Sequence, residues 1–148
     1  MTRSIVTVAV IVSLLALGGL PQGTGAAAHT ARGLGQDSQG QHFRFHAEGT
    51  PSLGAGRAAF GFGVSGQQQG TVDCLWVASG RAVLSGTLDA PIGGLPYFAI
   101  LVRDIPTSKS RPSDLFYVQA SSSPIDCATA YQPLSSGLRI RRGDIKVA

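Results

Sequence analysis

The sequence predicts an all-β protein, a single antiparallel β-sandwich or small barrel of about seven or eight strands. The first reason is a set of short stretches in which apolar and polar residues alternate, the pattern of a half-buried strand. The second is that many of the 20 glycines and 8 prolines separate these stretches. The third is that no stretch after the N-terminal segment has the period of an amphipathic helix. The length of 148 residues fits one such domain.

Residues 1–28 have the composition of a secretory signal peptide. Arg3 supplies a positive start, residues 5–17 are apolar, and Ala26-Ala27-Ala28 offers a small-residue cleavage site. The apolar run is shorter than the ~18 residues of a spanning helix, so we expect cleavage; an uncleaved membrane anchor is the alternative. The mature protein is therefore expected to be secreted, extracellular or associated with the cell envelope, with no membrane span.

Residues 29–41 are polar and rich in glycine and glutamine, which predicts a flexible leader. The β-domain is expected over 42–148, with loops at 49–56 and 66–70 where turn residues cluster. The run 97–104 is apolar at successive positions, so we expect it to be covered on both faces. The predicted strands are 42–48, 57–65, 97–104 and 114–120, with a hairpin over 72–88 and a closing strand pair within 134–147 that turns at Ser136-Gly137 or at Gly143.

The predicted hairpin contains the only tryptophan, and its turn decides which side chains face the core. A two-residue turn would set Leu75 opposite Leu84. A three-residue turn ending at Gly80 would set Cys74 opposite Leu84 and turn Trp76 to the same face. We favour the three-residue turn, because it unites the fuller apolar face.

Cys74 and Cys127 are the only cysteines of the chain. An even number of cysteines in an exported protein predicts a disulfide, and two cysteines allow one pairing. A metal site is the weaker alternative, because there is no Cys-x-x-Cys spacing and no nearby histidine. The expected bridge closes a long loop, which would stabilise the fold by about 4 kcal/mol.

Three motifs carry a family resemblance. The hairpin contains Cys74-Leu75-Trp76-Val77 followed by Gly80, Ala82 and Gly86, a later strand ends in Val102-Arg103-Asp104, and the chain closes with Gly143-Asp144-Ile145-Lys146-Val147. In these motifs the chain resembles a group of small uncharacterised secreted all-β proteins of high-GC bacteria, over residues 41–147. The resemblance implies secretion and an all-β fold, and it brings no catalytic residue. Ile105-Pro106 departs from the pattern, since the group has an Asn-Gly turn there.

Motifs with catalytic or metal-binding potential are few. His42 and His46 share one strand face, but about 13 Å separates them, too far to share a metal ion. The Gly-x-Gly-x-x-Gly match at 61–66 lies in a predicted strand and opens no helix, so it predicts no phosphate site. The sequence has no Gly-x-Ser-x-Gly elbow, and a serine triad could draw only on His29, His42 or His46. We expect no enzyme, no metal and no cofactor.

One basic cluster is a candidate for anion binding. It could hold an anionic envelope polymer or acidic lipid headgroups. Arginines on an edge strand also prevent sheets from associating, and from the sequence we favour that role. The net charge of +4 is too small to predict nucleic-acid binding. The cluster comprises Arg139, Arg141, Arg142 and Lys146.

These observations predict a secreted, non-enzymatic β-domain that acts as a binding or structural module at the cell envelope or outside the cell. Its expected partner is an envelope polymer or another secreted protein. Two alternatives stay open: a small secreted hydrolase with a site built from loops, and a binder of anionic envelope polymers.

Overall fold

The structure, a computed structural model, describes residues 28–50, 53–106, 114–130 and 137–148. Eight antiparallel strands, each paired with the next along the chain, close into one barrel because the last strand also pairs with the first. The predicted all-β fold is confirmed in its barrel form, and residues 1–27 of the predicted signal peptide lie outside the described residues. The strands are β1 (His29–Asp37), β2 (His42–Thr50), β3 (Leu53–Gly61), β4 (Gln67–Ala78), β5 (Arg81–Ile92), β6 (Leu95–Arg103), β7 (Leu115–Ser121) and β8 (Leu138–Val147).

Phenylalanine side chains fill much of the barrel interior. The rings of Phe43 and Phe116 stack with their centroids 4.5 Å apart, and those of Phe60 and Phe98 lie 5.4 Å apart. On β2, Phe43 and Phe45 alternate with exposed polar residues, so the period of two in the sequence aims them inward. The interior is therefore a packed core of aromatic rings with smaller aliphatic side chains between them.

Residues His29–Asp37 form strand β1, so the predicted flexible leader over 29–41 is wrong. β1 pairs with β2 on one side and with β8 on the other. Two of its inward positions are Gly33 and Gly35, where the rings of Phe45 and Phe43 occupy the space that a side chain would need. The glycines that suggested a flexible segment are the small residues of a strand that lies against aromatic rings.

β4 and β5 are joined by a two-residue turn, so the predicted three-residue turn is wrong. Ser79 has a φ of 50° and Gly80 a φ of 71°. This is the pair of left-handed residues that a type I′ turn requires, and its twist matches that of the flanking strands. Leu75 consequently pairs with Leu84, and both side chains are buried in the barrel interior.

A bulge at Asp73 separates side chains that the sequence placed on one face. The register of β4 against β5 shifts by one residue between Val72 and Cys74. Val72 therefore faces the interior, whereas Cys74 and Trp76 pack in a cluster outside the barrel.

The cluster outside the barrel is covered by the segment 125–130, which the Cys74–Cys127 disulfide fastens to β4. The Ser85 hydroxyl, buried under this segment, donates a hydrogen bond of 2.7 Å to the carbonyl oxygen of Ile125. The predicted disulfide is confirmed, and so is the cover on both faces of the strand 97–104. The buried residues of this outer cluster are Val83, Ala99, Leu101 and Cys127.

Two carboxylates hold β8 where it meets the end of β6. Asp114 is 3% exposed; its Oδ1 accepts the N–H of Ile105 at 2.9 Å, and its Oδ2 accepts that of Ile145 at 3.1 Å. Asp104 Oδ2 accepts the N–H of Val147 at 3.2 Å. Among the described residues β7 and β8 pair at two positions, so these side chains satisfy donors of β8 that no backbone ladder reaches there.

Several strand bounds differ from the prediction. β3 begins at Leu53 within the predicted loop 49–56, and β4 begins at Gln67 within the predicted loop 66–70. The predicted strand 57–65 ends early, because Gly63–Ser65 form a 3₁₀ turn. The predicted closing pair does not turn at Gly143, which has a φ of 111° and lies inside β8; the alternative turn at Ser136-Gly137 lies partly outside the described residues.

Removal of the disulfide should loosen the segment 125–130. We expect the Cys74→Ser/Cys127→Ser variant to lose about 4 kcal/mol of unfolding free energy, because the bridge spans 53 residues. Urea titration followed by the emission of Trp76, which packs beside the bridge, measures this loss. Two reactive thiols in unreduced protein would contradict the bridge itself.

The Asp114 carboxylate should contribute more to stability than an exposed one. We expect Asp114→Ala to cost about 3 kcal/mol, because the N–H groups of Ile105 and Ile145 would lose their acceptor. Asp114→Asn keeps one acceptor oxygen and should cost about half as much. The matched control is the exposed Asp144→Asn, expected within about 0.5 kcal/mol of the parent in the same urea titration. Equal losses of unfolding free energy in Asp114→Asn and Asp144→Asn would contradict the role of Asp114.

Candidate functional site

Cations from four neighbouring strands lie on one side of the barrel. The pairing sets Lys146 on β8 opposite Arg32 on β1, Arg32 opposite His46 on β2, and His46 opposite Arg57 on β3. Neighbouring strands lie about 4.8 Å apart, so this row of side chains crosses about 14 Å of surface. We call the surface around this row the basic face, and its cationic residues are Arg32, Arg44, Arg57, Arg142 and Lys146.

Three arginines of the basic face have no acidic partner. Among the residues that the structure describes, no carboxylate lies within ion-pair distance of Arg32, Arg44 or Arg142. All three side chains are exposed, on strands that pair with one another. Their guanidinium groups are therefore available to an anion from outside the molecule.

The other cations of the basic face are partly neutralised. Lys146 Nζ lies 3.4 Å from Asp144 Oδ1, and both side chains are more than half exposed. Arg57 donates to both carboxylate oxygens of Asp89 and, at 2.9 Å, to the hydroxyl of Thr71. Exposed pairs of this kind contribute little to stability, but they lower the charge that a ligand meets.

The Arg57–Asp89 pair shifts the titration of both groups. The hydrogen bond from Arg57 is the main cause that holds the pKa of the Asp89 carboxyl below its ordinary value, and the attraction between the two charges acts in the same direction. The same hydrogen bond raises the pKa of Arg57. Arg57 is thus charged throughout the physiological pH range, and the Asp89 carboxylate balances its charge.

Two shallow depressions flank the centre of the basic face. One, of about 330 Å³, lies along β1 and β8 between Arg32 and Lys146, over Gly33 and Gly143. The other, of about 230 Å³, lies over Ala59 between Arg44 and Arg57. Each depression is lined by small residues and by cations, and the first also by Leu34 and Asp144, so an extended chain can approach the sheet while its charges meet the cations.

An exposed leucine lies among the free arginines. Leu34 is 65% exposed and stands opposite Arg44 on β2 and opposite Asp144 on β8, with Arg32 two residues before it on the same face. The centre of the basic face can therefore contact the apolar part of a ligand as well as its charge.

The structure places the four residues of the predicted basic cluster unequally. Arg142 and Lys146 belong to the basic face. Arg141 is the extra residue of a bulge in β8, since Arg142 pairs with Gln36 and Ile140 with Asp37. Arg139 lies at the start of β8 and pairs with Leu115 on β7. The four side chains thus form a line along β8 and do not make one compact site.

Sequence reasoning missed Arg32, Arg44 and Arg57 as parts of this surface. Arg32 was assigned to the leader, and Arg44 and Arg57 to separate strands of unknown pairing. The available signal was that each occupies an outward position of its strand, but only the register shows that these positions are neighbours.

Two of the three histidines, His42 and His46, lie on the same side of the barrel as the basic face, and His29 begins β1. His42 and His46 point outward from β2 with Arg44 between them, and His46 Nε2 lies 3.1 Å from Glu48 Oε1. Among the described residues, the one group with metal-ligand spacing is Cys74, Asp126 and Cys127. Its two sulfur atoms are bonded to each other, so they offer no thiolates to a metal ion.

The barrel also has a cavity at one end. It lies beside the β1–β2 turn and the 3₁₀ turn, and we call this end the barrel mouth. The cavity holds about 280 Å³ and is lined by both apolar and polar side chains. Its lining includes Asp37, Gln41, Phe62, Phe116, Val118 and Leu138.

The motifs behind the family resemblance have structural roles here. Asp104 and Asp114 bind the backbone of the closing segment 143–147, which completes the barrel. Comparison of the chain with protein-family models, with curated proteins and with solved structures finds no match. No helix among the described residues is long and apolar enough to cross a membrane.

The pKa of Asp89 gives a pH prediction. Because the pKa of Asp89 is lowered, the Arg57–Asp89 pair stabilises the folded protein at pH values above the ordinary carboxyl range. This stabilisation is lost as the pH falls through the pKa of Asp89 in the folded protein. We expect the carboxyl NMR signal of Asp89 to titrate below the ordinary aspartate range, and to return to it in Arg57→Gln. A signal that Arg57→Gln leaves unchanged would contradict the pairing.

Proposed function

We propose that this protein is an exported, non-enzymatic binding module that holds an anionic polymer of the cell envelope on its basic face. The observation that carries the proposal is the grouping on adjoining strands of three arginines that have no acidic partner among the described residues, Arg32, Arg44 and Arg142. Like charges that are close together oppose folding slightly, so a ligand that supplies the opposite charge gains their interaction at little cost.

The alternative role, protection of a sheet edge, does not suit Arg32 and Arg44. Arg32 and Arg44 lie on β1 and β2, and each of these strands is paired on both sides. A closed barrel has no free edge at these strands for another sheet to join. Protection from edge association therefore gives no reason for the cations on β1 and β2.

An extended polymer suits the basic face better than a small anion. The cations are exposed and spread across four strands, and each contact with an exposed charge contributes only about 0.2–1 kcal/mol. A small anion reaches one or two of them. A polymer reaches several at once, so weak contacts add through its connectivity and released counterions add further.

The exported location rests on the N-terminal segment and is supported by the disulfide, which is typical of oxidising compartments. The non-enzymatic role is supported by the positions of His42 and His46, which stand on the convex outer surface of β2 among cations. Water reaches such a surface freely, whereas active sites commonly exclude water from the reacting groups.

Binding to polyanions should weaken with salt and with loss of the free arginines. The probes are long-chain polyphosphate, the carboxylated glycan alginate, and neutral dextran. We expect affinity for the two polyanions only, and Arg32→Gln, Arg44→Gln or Arg142→Gln each to lower it about two- to fivefold. Each substitution should also lower the slope of log K against log salt by about one.

The matched control is Arg103→Gln, which removes an equal charge from the exposed side of β6. We expect it to change the affinity for polyphosphate less than twofold. An equal effect of Arg103→Gln and Arg32→Gln would show a response to net charge alone and contradict a specific face. Tight binding to phosphatidylglycerol vesicles without binding to either polymer would contradict the proposed polymer and show that the ligand is a lipid surface.

A further inference from the structure

The barrel mouth contains a carboxylate that the fold uses only in part. Asp37, at the end of β1, is 3% exposed and faces inward. Its Oδ1 accepts two backbone N–H groups, those of Gln39 and Gln41, each at 2.9 Å, and so shapes the turn between β1 and β2. Its Oδ2 accepts no hydrogen bond and forms no ion pair within the described part of the chain.

The second carboxylate oxygen of Asp37 is not fully sealed inside the protein. Every fully sealed polar side-chain atom among the described residues has a hydrogen-bond partner, so an oxygen without one cannot be sealed. Asp37 also lines the mouth cavity. Asp114 is equally buried, but both of its oxygens are used by the backbone. The two buried aspartates therefore differ: each oxygen of Asp114 has a backbone partner among the described residues, whereas one oxygen of Asp37 has none.

The walls of the mouth cavity are in part apolar and aromatic and in part polar, since Gln39, Gln41 and Tyr117 line it as well. Phe62 and Phe116 line the cavity, together with Val118 and Leu138. A carboxylate in such surroundings gains from a cation or an N–H donor, because little water competes for it. Phenyl rings also attract cations through their faces. The cavity of about 280 Å³ lies at the small end of ligand sites, so its occupant is small.

We propose that the barrel mouth binds a small organic ammonium ion, with the ammonium group at Asp37 Oδ2 and its hydrocarbon part against Phe62, Phe116 and Val118. This site is separate from the basic face and takes a ligand of the opposite charge. The inference does not depend on the proposed polymer binding, and either can fail without the other.

A series of ligands of one shape tests the charge preference on the unmodified protein. The probes are phenethylammonium, its neutral analogue phenethyl alcohol, and the anion 3-phenylpropionate, followed by NMR shifts of Asp37 and Val118. We expect the ammonium ion to bind at least tenfold more tightly than the alcohol, and the anion to bind most weakly. Equal affinities, or shifts confined to residues outside the mouth, would overturn the proposal.

Asp37→Asn separates the charge from the structural role. The Asn carbonyl oxygen can still accept the N–H groups of Gln39 and Gln41, so the turn is expected to persist, while the charge is lost. We expect this variant to lose the preference for the ammonium ion and to keep its affinity for the alcohol. Asp144→Asn, which removes a charge from the basic face, should leave both affinities unchanged.

An ammonium affinity that survives Asp37→Asn would overturn the role of Asp37. If Asp37→Asn does not fold, the ligand series on the unmodified protein still decides the question, because a site without a carboxylate has no reason to prefer the cation. Polyphosphate binding by the same samples reports on the basic face separately.

Discussion

Closure of the barrel between β1 and β8 is the contact on which the rest of the structure depends. It sets Arg32 between Lys146 and His46, and so turns cations from separate strands into one surface. It also brings Asp37 to the rim beside Ile140. The closure is supported from its other side by Asp104 and Asp114, whose carboxylates accept N–H groups of β8. Without it, β1 would be an edge with glycine at two inward positions, and neither candidate site would exist in its present form.

Much of the fold could be predicted because its signals are local. The alternation in 42–48 identified β2 and its inward phenylalanines, and the continuous apolar run 97–104 identified a strand covered on both faces. The disulfide could be predicted from the even number of cysteines together with the predicted export. What failed was set by partners distant in sequence. Gly33 and Gly35 look like a flexible segment until the rings of Phe45 and Phe43 are placed over them.

The hairpin and the basic face also depend on features that local sequence patterns do not reveal. One extra residue, Asp73, sends Val72 and Cys74 to opposite sides of the sheet, and no pattern within the strand announces that bulge. The arginines of the basic face occupy outward positions on strands far apart in the chain, and only the register makes them neighbours. The cluster that was visible in the sequence, 139–146, was visible because it lies on one strand. Contiguity along the chain thus revealed Arg142 and Lys146 but not their neighbours on other strands.

Backbone hydrogen bonds of 2.7 and 3.0 Å join Thr30 to Ala148, so β1 starts where β8 ends, at the rim opposite the mouth. A reporter or surface anchor attached beyond Ala148 would leave the mouth facing away from it. A short linker could also join these two residues, with the backbone opened instead at the exposed Gly93-Gly94 turn. Such a circular permutant would retain every strand pairing, and its new ends would emerge at the rim that holds Asp37.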